Sequence, residues 1–581
     1  MFDTLLIANR GEIACRIIRS CRRLGLRSVA VYSEADAHAR HVREADAALC
    51  IGPAAAARSY LDAEAIVRAA QASGAQAVHP GYGFLSERLA LVQACQQAGL
   101  VFVGPHARAI ETMGSKIESK RIARAAGVPC VAGYDGDDQG LPRLLEEAQR
   151  IGLPLLIKAS AGGGGKGMRR VDRLQDRPAQ LASAQAEAQA AFGDARVMLE
   201  RFIPRPRHVE VQLLGDRHGR LVHLFERECS IQRHYQKLIE ETPAPHLGEG
   251  VRQRLFDAAL ALGRKIGYDS AGTVEFVLDA ERGDEPAFLE VNARLQVEHP
   301  VTEETTGIDL VEWQIRVAAG QALPWRQDEL AQRGHAIEAR VNAEDPAARF
   351  APSLGPLRGY AEPQAAGLRI DSGVDAGSEV TPHYDSLLAK VIAWGPTREA
   401  ARARLRQGLQ GLRVGGLRTT QPLLDEVLAS PAFGQPLHTG FLDAHWPEGW
   451  QPAPALRRQA RALAALAWLQ AQQPEGDERP LASLRGWRVD GVGVGRCHLV
   501  VEDDDAAHEL SVQLGLRTAG VEDAEGVLQA RCAEDGRWAL EAAAPAASPQ
   551  PATPPSAQLQ VQVQVQGARV EVWQQGWSTT L

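Results

Sequence analysis

None of the eight cysteines in this 581-residue chain forms a C-x-x-C pair. Neither a disulfide framework nor a thiolate zinc site is expected, and a reducing compartment, the cytoplasm, fits. No apolar run approaches the ~18 residues of a membrane span. The start, MFDTLLIANRGEIACRII, has no basic leader and no small-residue cleavage site, so it reads as a first strand rather than a signal peptide. Basic excess is missing too. Lys+Arg 64 against Asp+Glu 72 leaves −8, a poor generic surface for nucleic acid or anionic membrane. Basic side chains can still cluster around a small anionic substrate. With 45% hydrophobic and 23% charged residues, the composition excludes a mainly disordered or fibrous chain. At about 150 residues per domain the length suggests roughly four domains, enough to bury cores without disulfide or metal staples.

The first ~110 residues alternate apolar runs (Thr4–Ala8, Ser28–Tyr32, Ala75–His79, Leu100–Val103) with helical patterns (Ile13–Leu24, Ala63–Ala72, Leu89–Gln97). Strands separated by helices imply right-handed crossovers and a parallel, doubly wound sheet. Ligands bind beyond the carboxyl ends of such strands, and His79-Pro-Gly-Tyr-Gly-Phe-Leu-Ser-Glu87 stands at one. From 113 to 300 the pattern turns α+β. Helices at Lys116–Ala126 and about 178–192 accompany strands at Pro154–Lys158, Met168–Val171, Arg196–Glu200, His208–Leu214, Leu221–Glu228, Thr273–Leu278 and Ala287–Val291. Short strands fill 335–395, and Pro396 introduces an amphipathic helix over Thr397–Gly411. Beyond His445 an Ala-rich helix (Arg457–Gln470) leads into Gly- and Val-rich strands around 486–541. Ala542–Ser556 reads as a linker. The strict alternation before Gly567 predicts a half-buried strand paired with Arg569–Trp573. The chain stops at Leu581 directly after strand-like residues, which suggests a truncation.

Three segments carry candidate chemistry. Lys158-Ala-Ser-Ala-Gly-Gly-Gly-Gly-Lys-Gly167 exposes backbone N–H groups at a conformational cost that a core would not choose. The P-loop pattern fails, since Ser160 precedes Lys166 by six and Gly167 follows it. Gly162, Gly164 and Gly167 match G-x-G-x-x-G, yet a strand-like Met168-Arg-Arg-Val follows where a dinucleotide fold needs a helix. What remains is a strand, a glycine loop and a strand: a lid over phosphates, or a plain exposed loop. In Glu290-Val-Asn-Ala-Arg-Leu-Gln-Val-Glu-His299, an extended chain would put Glu290, Asn292, Arg294, Gln296 and Glu298 on one face. That face is either a wet edge or, with Glu275, a seat for a hard cation. Glu228-Cys-Ser-Ile-Gln-Arg-His-Tyr-Gln-Lys-Leu-Ile-Glu-Glu241 reads as a solvated loop or a binding segment. His208 and Glu210 alternate on a strand and meet either a nucleotide or water.

Together these segments resemble the biotin carboxylase component of biotin-dependent carboxylases, in the ATP-grasp superfamily. The resemblance runs in order from LLIANRGEIACRIIR through HPGYGFLSE (79–87), MGSK (113–116), KASAGGGGKGM (158–168), RHVEVQ (207–212) and ECSIQRHYQK (228–237). It continues through FLEVNARLQVEHPVTE (288–303), EARVNAEDP (338–346) and HYDSLLAKVIAWG (383–395). It implies a Rossmann-like N-terminal domain (1–112), an ATP-grasp domain (113–332) and a C-terminal biotin carboxylase domain (333–446). The fold class is thus α/β and α+β. Residues 447–581 are similar in style to the helix-plus-strand domain that joins biotin carboxylase to its carrier in α-subunits of the methylcrotonyl-, geranyl- or propionyl-CoA carboxylase type.

The resemblance also implies residue roles. Lys116, Lys158, Gly163, Gly164, Gly165, Glu200, Arg201, Ile203, His208, Gln232 and Tyr235 would meet ATP. Arg201 stands where the family often has Lys, Tyr235 where it usually has His, and Ala161 where it has Gly. Glu275, Glu290 and Asn292 would hold Mg2+ or Mn2+. Lys237, Arg294, Gln296 and Val297 would hold bicarbonate, Glu298 would deprotonate it, and Arg340 would stabilise the biotin enolate. The implied reaction joins bicarbonate to carrier-linked biotin through carboxyphosphate. The alternative is another ATP-grasp ligase with a non-biotin acceptor. None of the four methionines precedes a lysine, so the biotin carrier domain is expected elsewhere. A carboxyltransferase β-subunit and a homo-dimer or larger hetero-oligomer complete the expected partners, with no nucleic acid and no membrane.

Overall fold

The computed structural model describes residues 2–160, 168–279, 283–471, 496–502, 507–514, 518–532, 538–540, 561–566, 569–574 and 577–580. Strands β1 (Thr4–Ile7), β2 (Arg27–Ser33), β3 (Ala47–Gly52), β4 (Ala77–His79) and β5 (Val101–Phe102) form a sheet ordered β3-β2-β1-β4-β5. Every neighbouring pair is parallel, the doubly wound arrangement that alternating strands and helices dictate. The edge strand β3 lies outside the sequence reading. Most of it is only half buried, so its apolar signal is weak. The strand order reverses between β1 and β4, and there the loops after both strands meet. Asn9 Nδ2 donates to the carbonyls of Pro80 and Tyr82, both at 2.7 Å. Gly81 has φ +63, and a Cβ there would stand 2.9 Å from Asn9 Nδ2. Glycine is what lets the His79–Glu87 segment close over the crevice.

Strands β6 (Gly133–Tyr134), β7 (Leu155–Ala159), β8 (Met168–Val171) and β9 (Val197–Arg201) form a four-stranded sheet ordered β6-β9-β7-β8. β7 and β8 pair antiparallel from Leu155↔Val171 to Lys158↔Met168, so strands flank the glycine tract on both sides. Gly163, Gly164 and Gly165 lie outside the described residues.

The largest sheet gathers β10 (Pro206–Gly215), β11 (Leu221–Arg233), β12 (Gln236–Thr242), β13 (Ser270–Asp279), β14 (Glu285–Asn292) and β15 (His335–Asn342). After the short strands β16 (Glu344–Asp345), β17 (Ala351–Pro352), β18 (Gly355–Pro356) and β19 (Gly359–Ala361) come β20 (Leu368–Ser372), β21 (Glu379–Val380) and β22 (Leu387–Gly395). The order is β14-β13-β10-β11-β12-β15-β22-β20. β12 pairs with β15 from Ile239↔Ala339 to Thr242↔Ala336, so one sheet runs across residues 332 and 333. The segment Glu228–Glu241 is not a solvated loop. It completes β11 and most of β12 around a turn at His234 and Tyr235, both with positive φ, and Glu228, Ser230, Gln232, Glu240 and Glu241 are buried.

Strand periodicity sorts β15 onto two faces. Ile337, Ala339 and Val341 pack with Leu405 and Leu409 of the helix Arg398–Gly411. Ala336 on the other face packs with Val301 of the helix His299–Thr306 and with Ile392. That second face carries the polar residues discussed below.

Toward the C-terminus, the helix Pro454–Ala471 packs Leu463 and Leu466 against Leu510, Val512 and Val521 of a five-stranded sheet. Val561–Gln566 pairs with Arg569–Gln574 as the expected hairpin, Val563 opposite Val572. The linker reading at Ala542–Ser556 lies outside the described residues. Among those described, no helix is long and apolar enough to cross a membrane.

Just after β20, Gly373 approaches the start of the helix Gly11–Leu24. A Cβ there would lie 2.3 Å from the backbone N of Glu12 and 2.5 Å from the carbonyl carbon of Gly11. Neither is a side chain that can swing away. Gly373→Ala is therefore expected to destabilise the protein by about 1–3 kcal/mol through overpacking. Calorimetry should show a lowered unfolding midpoint, and an unchanged midpoint would contradict this close approach.

Candidate active site

Cross-strand pairing explains why charged side chains meet on the central sheet. Glu210 on β10 lies opposite Arg227 on β11 and Glu275 on β13, and Glu275 lies opposite Glu290 on β14. Lys237, near the start of β12, reaches across this group. Its Nζ donates to Glu210 Oε2 at 2.6 Å, Glu275 Oε1 at 3.0 Å and Glu298 Oε1 at 2.5 Å. Arg340 on β15 grips the other Glu298 oxygen, Nη2 to Oε2 at 2.9 Å, and donates from Nε to Glu240 Oε1 at 2.6 Å. Arg227, fully buried, donates from Nε to Glu210 Oε1 at 2.6 Å and from its Nη atoms to Gln212, Thr302 and Thr273. Each of these buried charges thus has an opposite partner, as burial requires.

The expectation of an extended chain from Glu290 to Glu298 is corrected here. β14 ends at Asn292, and Glu298 is the residue before the helix His299–Thr306, which carries Pro300 in its first turn. Proline is well suited to that position and ends any strand there. Hydrogen bonds rather than strand alternation bring the side chains together. Arg294 donates to Glu87 Oε2 at 2.9 Å, Gln296 Oε1 at 2.7 Å and Asn292 Oδ1 at 2.8 Å. Asn292 and Gln296 both donate to Glu275 Oε1, at 2.8 and 3.0 Å. The carbonyl of Val297 accepts from the fully buried Lys390 Nζ at 2.8 Å. That ammonium also pairs with Glu12 Oε1 at 3.0 Å, and the Tyr82 hydroxyl donates to the same Glu12 oxygen.

Burial alone would raise the Glu298 carboxyl. Lys237, Arg340 and Arg227 outweigh it and hold the group well below the usual carboxylate range. Burial likewise opposes the charge of Lys237, and the carboxylates of Glu210, Glu275 and Glu298 keep it protonated. Glu275 is also held low against burial, by Lys237 and His208. Glu210 goes the other way: burial, with Glu298 and Glu275 nearby, raises its carboxyl against Lys237 and Arg227.

A second cluster lies on the smaller sheet. Glu200 on β9 accepts from Lys158 Nζ at 2.5 Å and from Lys120. Lys158 is the last charged residue of β7 before the glycine tract. Lys116 Nζ pairs with Glu290 Oε2 at 3.0 Å. His208 Nε2 meets Glu275 Oε2 at 2.9 Å, and Gln232 lies 3.5 Å from His208 Nδ1. Arg201 turns to Asp279 at 3.1 Å, Ile203 is buried beyond the end of β9, and Tyr235 sits 49% exposed at the β11–β12 turn. The structure therefore joins His208, Lys237, Glu275, Asn292, Arg294, Gln296, Glu298 and Arg340 in one network, and Lys158 with Glu200 in another.

The carboxylates of Glu275 and Glu290 and the amide oxygen of Asn292, on adjacent strands, have the donor chemistry of a hard divalent cation. Glu290 faces Lys116 here. Among the described residues, ligand atoms within 4.8 Å of one another belong to two groups, His208, Glu210 and Glu275, and Glu210, Cys229 and Glu298.

Sequence reasoning assigned no role to Lys120, Arg227, Glu240 or Lys390. Lys390 had a readable signal: one charged residue inside the apolar strand LLAKVIAWG, which must be buried with a partner. Lys120 had none, because a lysine on a helix is ordinarily solvated.

Residues 1–110 match the family described as "Biotin carboxylase, N-terminal domain". Residues 115–326 match "Carbamoyl-phosphate synthase L chain, ATP binding domain", and 338–444 match "Biotin carboxylase C-terminal domain". The methylcrotonoyl-CoA carboxylase subunit alpha of Dictyostelium discoideum is 47% identical over 492 residues, 84% of this chain and 70% of that protein. The propionyl-CoA carboxylase alpha chain of Ruegeria pomeroyi is 46% identical over 80% of this chain and 72% of its own length. Against the rat methylcrotonoyl-CoA carboxylase subunit alpha the chain spans 62% of the relative's length. Among solved structures, the biotin carboxylase domain of Hydrogenobacter thermophilus 2-oxoglutarate carboxylase, a dimer in complex with MgADP and bicarbonate, superposes with a TM-score of 0.75 at 44% identity. It covers 78% of this chain and 99% of that one.

The Glu200 cluster makes a stability prediction. Burial raises this carboxyl, but Lys158 and Lys120 pull it down to about 2, below its ordinary 4.5. A depressed carboxyl stabilises the fold above its unfolded value, and that contribution fades as pH falls through the window between the two. It amounts to about 3 kcal/mol. Glu200→Gln is expected to lower stability at neutral pH by about that amount and to flatten the acid dependence in this window. Urea unfolding across pH measures both. A variant with the parent's acid slope would show that the lysines do not hold Glu200.

Proposed function

Since this chain belongs to the biotin carboxylase family, we propose that it carries out ATP-dependent carboxylation of carrier-linked biotin with bicarbonate, by way of carboxyphosphate. This is the first half-reaction of an acyl-CoA carboxylase. The observation that carries the reading is Glu298, buried and held between Lys237 and Arg340. One cation suits an incoming bicarbonate and the other the biotin that follows.

Lys237, Arg294, Gln296 and Val297 bind bicarbonate, and Glu298 takes the proton of its hydroxyl. The cations that keep Glu298 ionised also stabilise the carbonate dianion formed, so the transfer occurs between two groups in one electrostatic field. A carbonate oxygen attacks the γ-phosphorus of ATP, ADP leaves, and carboxyphosphate forms. Lys116, Lys158, Glu200, Arg201, Ile203, His208, Gln232 and Tyr235 line the nucleotide, with Gly163, Gly164 and Gly165 over its phosphates. Glu275, Glu290 and Asn292 hold Mg2+ or Mn2+, which neutralises phosphate charge when bound. Carboxyphosphate then releases CO2. The phosphate left behind takes the proton from biotin N1, and Arg340 stabilises the negative charge on the ureido oxygen while N1 attacks CO2.

The named relatives support a carboxyltransferase β-subunit as partner and an acyl-CoA of the methylcrotonoyl or propionyl class as final acceptor. Biotin arrives on its carrier domain, and the working assembly is a homo-dimer or a larger hetero-oligomer.

ADP release with Mg2+ tests the reading. ATP cleavage should require bicarbonate and rise with free biotin. Glu298→Gln should lower the bicarbonate-dependent rate by about 100-fold or more, while Arg340→Gln should lose carboxybiotin formation more than ATP cleavage. Turnover supported by an amine and indifferent to biotin would point to a different ATP-grasp ligase. A Glu298→Gln variant that behaves like the parent would refute the assigned base.

A further inference from the structure

Directly behind Arg340 lies a buried carboxyl that the reaction above does not use. Glu338 sits two residues before Arg340 on β15 and shares its face. Its cross-strand neighbour on β12 is Glu240, while Arg340 faces Lys390 on β22. Glu338 and Glu240 are completely buried. Among the described residues neither oxygen of Glu338 has a hydrogen-bond donor, and Glu240 Oε2 has none either. Glu240 has Arg340 on its other oxygen, but a fully ionised Glu338 would carry a heavy desolvation cost without compensation.

The charges facing Glu338 can be named from every side. β12 presents Glu240, its own strand Arg340, β22 Lys390, and the start of the helix His299–Thr306 presents Glu298. Deeper in that helix, His299 is bonded to the Gln296 carbonyl and Glu303 is paired with Arg16 and Arg369. The helix Arg398–Gly411 covers the opposite, apolar face of β15. Lys390 is already bonded to Glu12 and the Val297 carbonyl, and Arg340 to Glu240 and Glu298. Among the described residues, both cations nearest Glu338 are thus already bonded to other acceptors.

Resting on the reading of Arg340 as the enolate's partner, we propose that Glu240 and Glu338 share one proton at neutral pH. A single negative charge then faces Arg340 from behind, and its positive charge stays available to a ureido oxygen. Like charges in close contact do not both ionise, so the first proton is lost easily and the second late. Burial raises both groups in the same sense, Glu240 to about 7 and Glu338 well above the usual range, with Arg340 and Lys390 respectively opposing. Once pH removes the shared proton, two anions hold Arg340 and the biotin-dependent step slows. Glu338 is in this sense a positioning residue for Arg340, acting through charge.

Infrared spectroscopy of the full chain in D2O reads the proton without turnover. Burial also raises Glu210 and Glu228, so the band is read as the difference between parent and Glu338→Gln: the parent should show one more carbonyl stretch of a neutral carboxylic acid at neutral pH, lost on alkalinisation. If that variant does not fold, Glu240→Gln should lose the same band. Absence of the band from the folded parent overturns the shared proton. In the biotin-dependent rate, Glu338→Gln should match the parent within about twofold at neutral pH and shift the alkaline limb upward by one pH unit or more, which approaches about tenfold in rate well above the parent's midpoint. An alkaline limb that is missing in the parent or unmoved in the variant overturns the link to Arg340. Should the band be present in a parent that cleaves no ATP with bicarbonate, the shared proton stands and the proposed reaction falls.

Discussion

Charge buried on one face of a continuous antiparallel sheet must be balanced locally, and this requirement organises the molecule. Glu210, Glu275 and Glu298 meet on Lys237. Arg227 secures Glu210 from below, and Arg340 secures Glu298 from the side. No one of these side chains would tolerate its surroundings alone. The apolar packing on the far side, where Ile337, Ala339 and Val341 meet the helix Arg398–Gly411, keeps the strands in register so that the partners stay within reach. The charge network is a poor source of stability and a good source of preorganisation. Its dipoles and charges are oriented before any substrate arrives.

Much of the fold is legible in the sequence because periodicity reports burial. The parallel unit is readable from apolar runs such as Thr4–Ala8 separated by helical patterns, and the glycine tract from its flanking strands. The hairpin of Val561–Gln566 is readable from strict alternation. The site was legible to the extent that polar residues fell into motifs resembling a known family. Composition alone left each segment open between a wet surface and a binding face.

What escaped the reading did so for physical reasons. The segment Glu228–Glu241 has few apolar residues and looks like a loop, yet it forms two central strands because its charges find partners on β10 and β15. The stretch after Asn292 alternates like a strand and is not one, because Pro300 and the helix behind it take over. Tertiary pairing overrode local pattern in both directions. Glu240 and Glu338 were invisible as a pair, since their juxtaposition depends on a register between strands about a hundred residues apart.

Lys390 ties together three distant parts of the polypeptide: Glu12 in the first helix, the Val297 carbonyl beside Glu298, and its own strand, 93 residues beyond Val297. During synthesis the loop bearing Glu298 emerges from the ribosome well before its anchor. Until β22 has been made and threaded beside β15, that loop has no buried ammonium to fasten its carbonyl. The nascent chain can assemble its doubly wound unit early, whereas catalytic competence is a late event of translation.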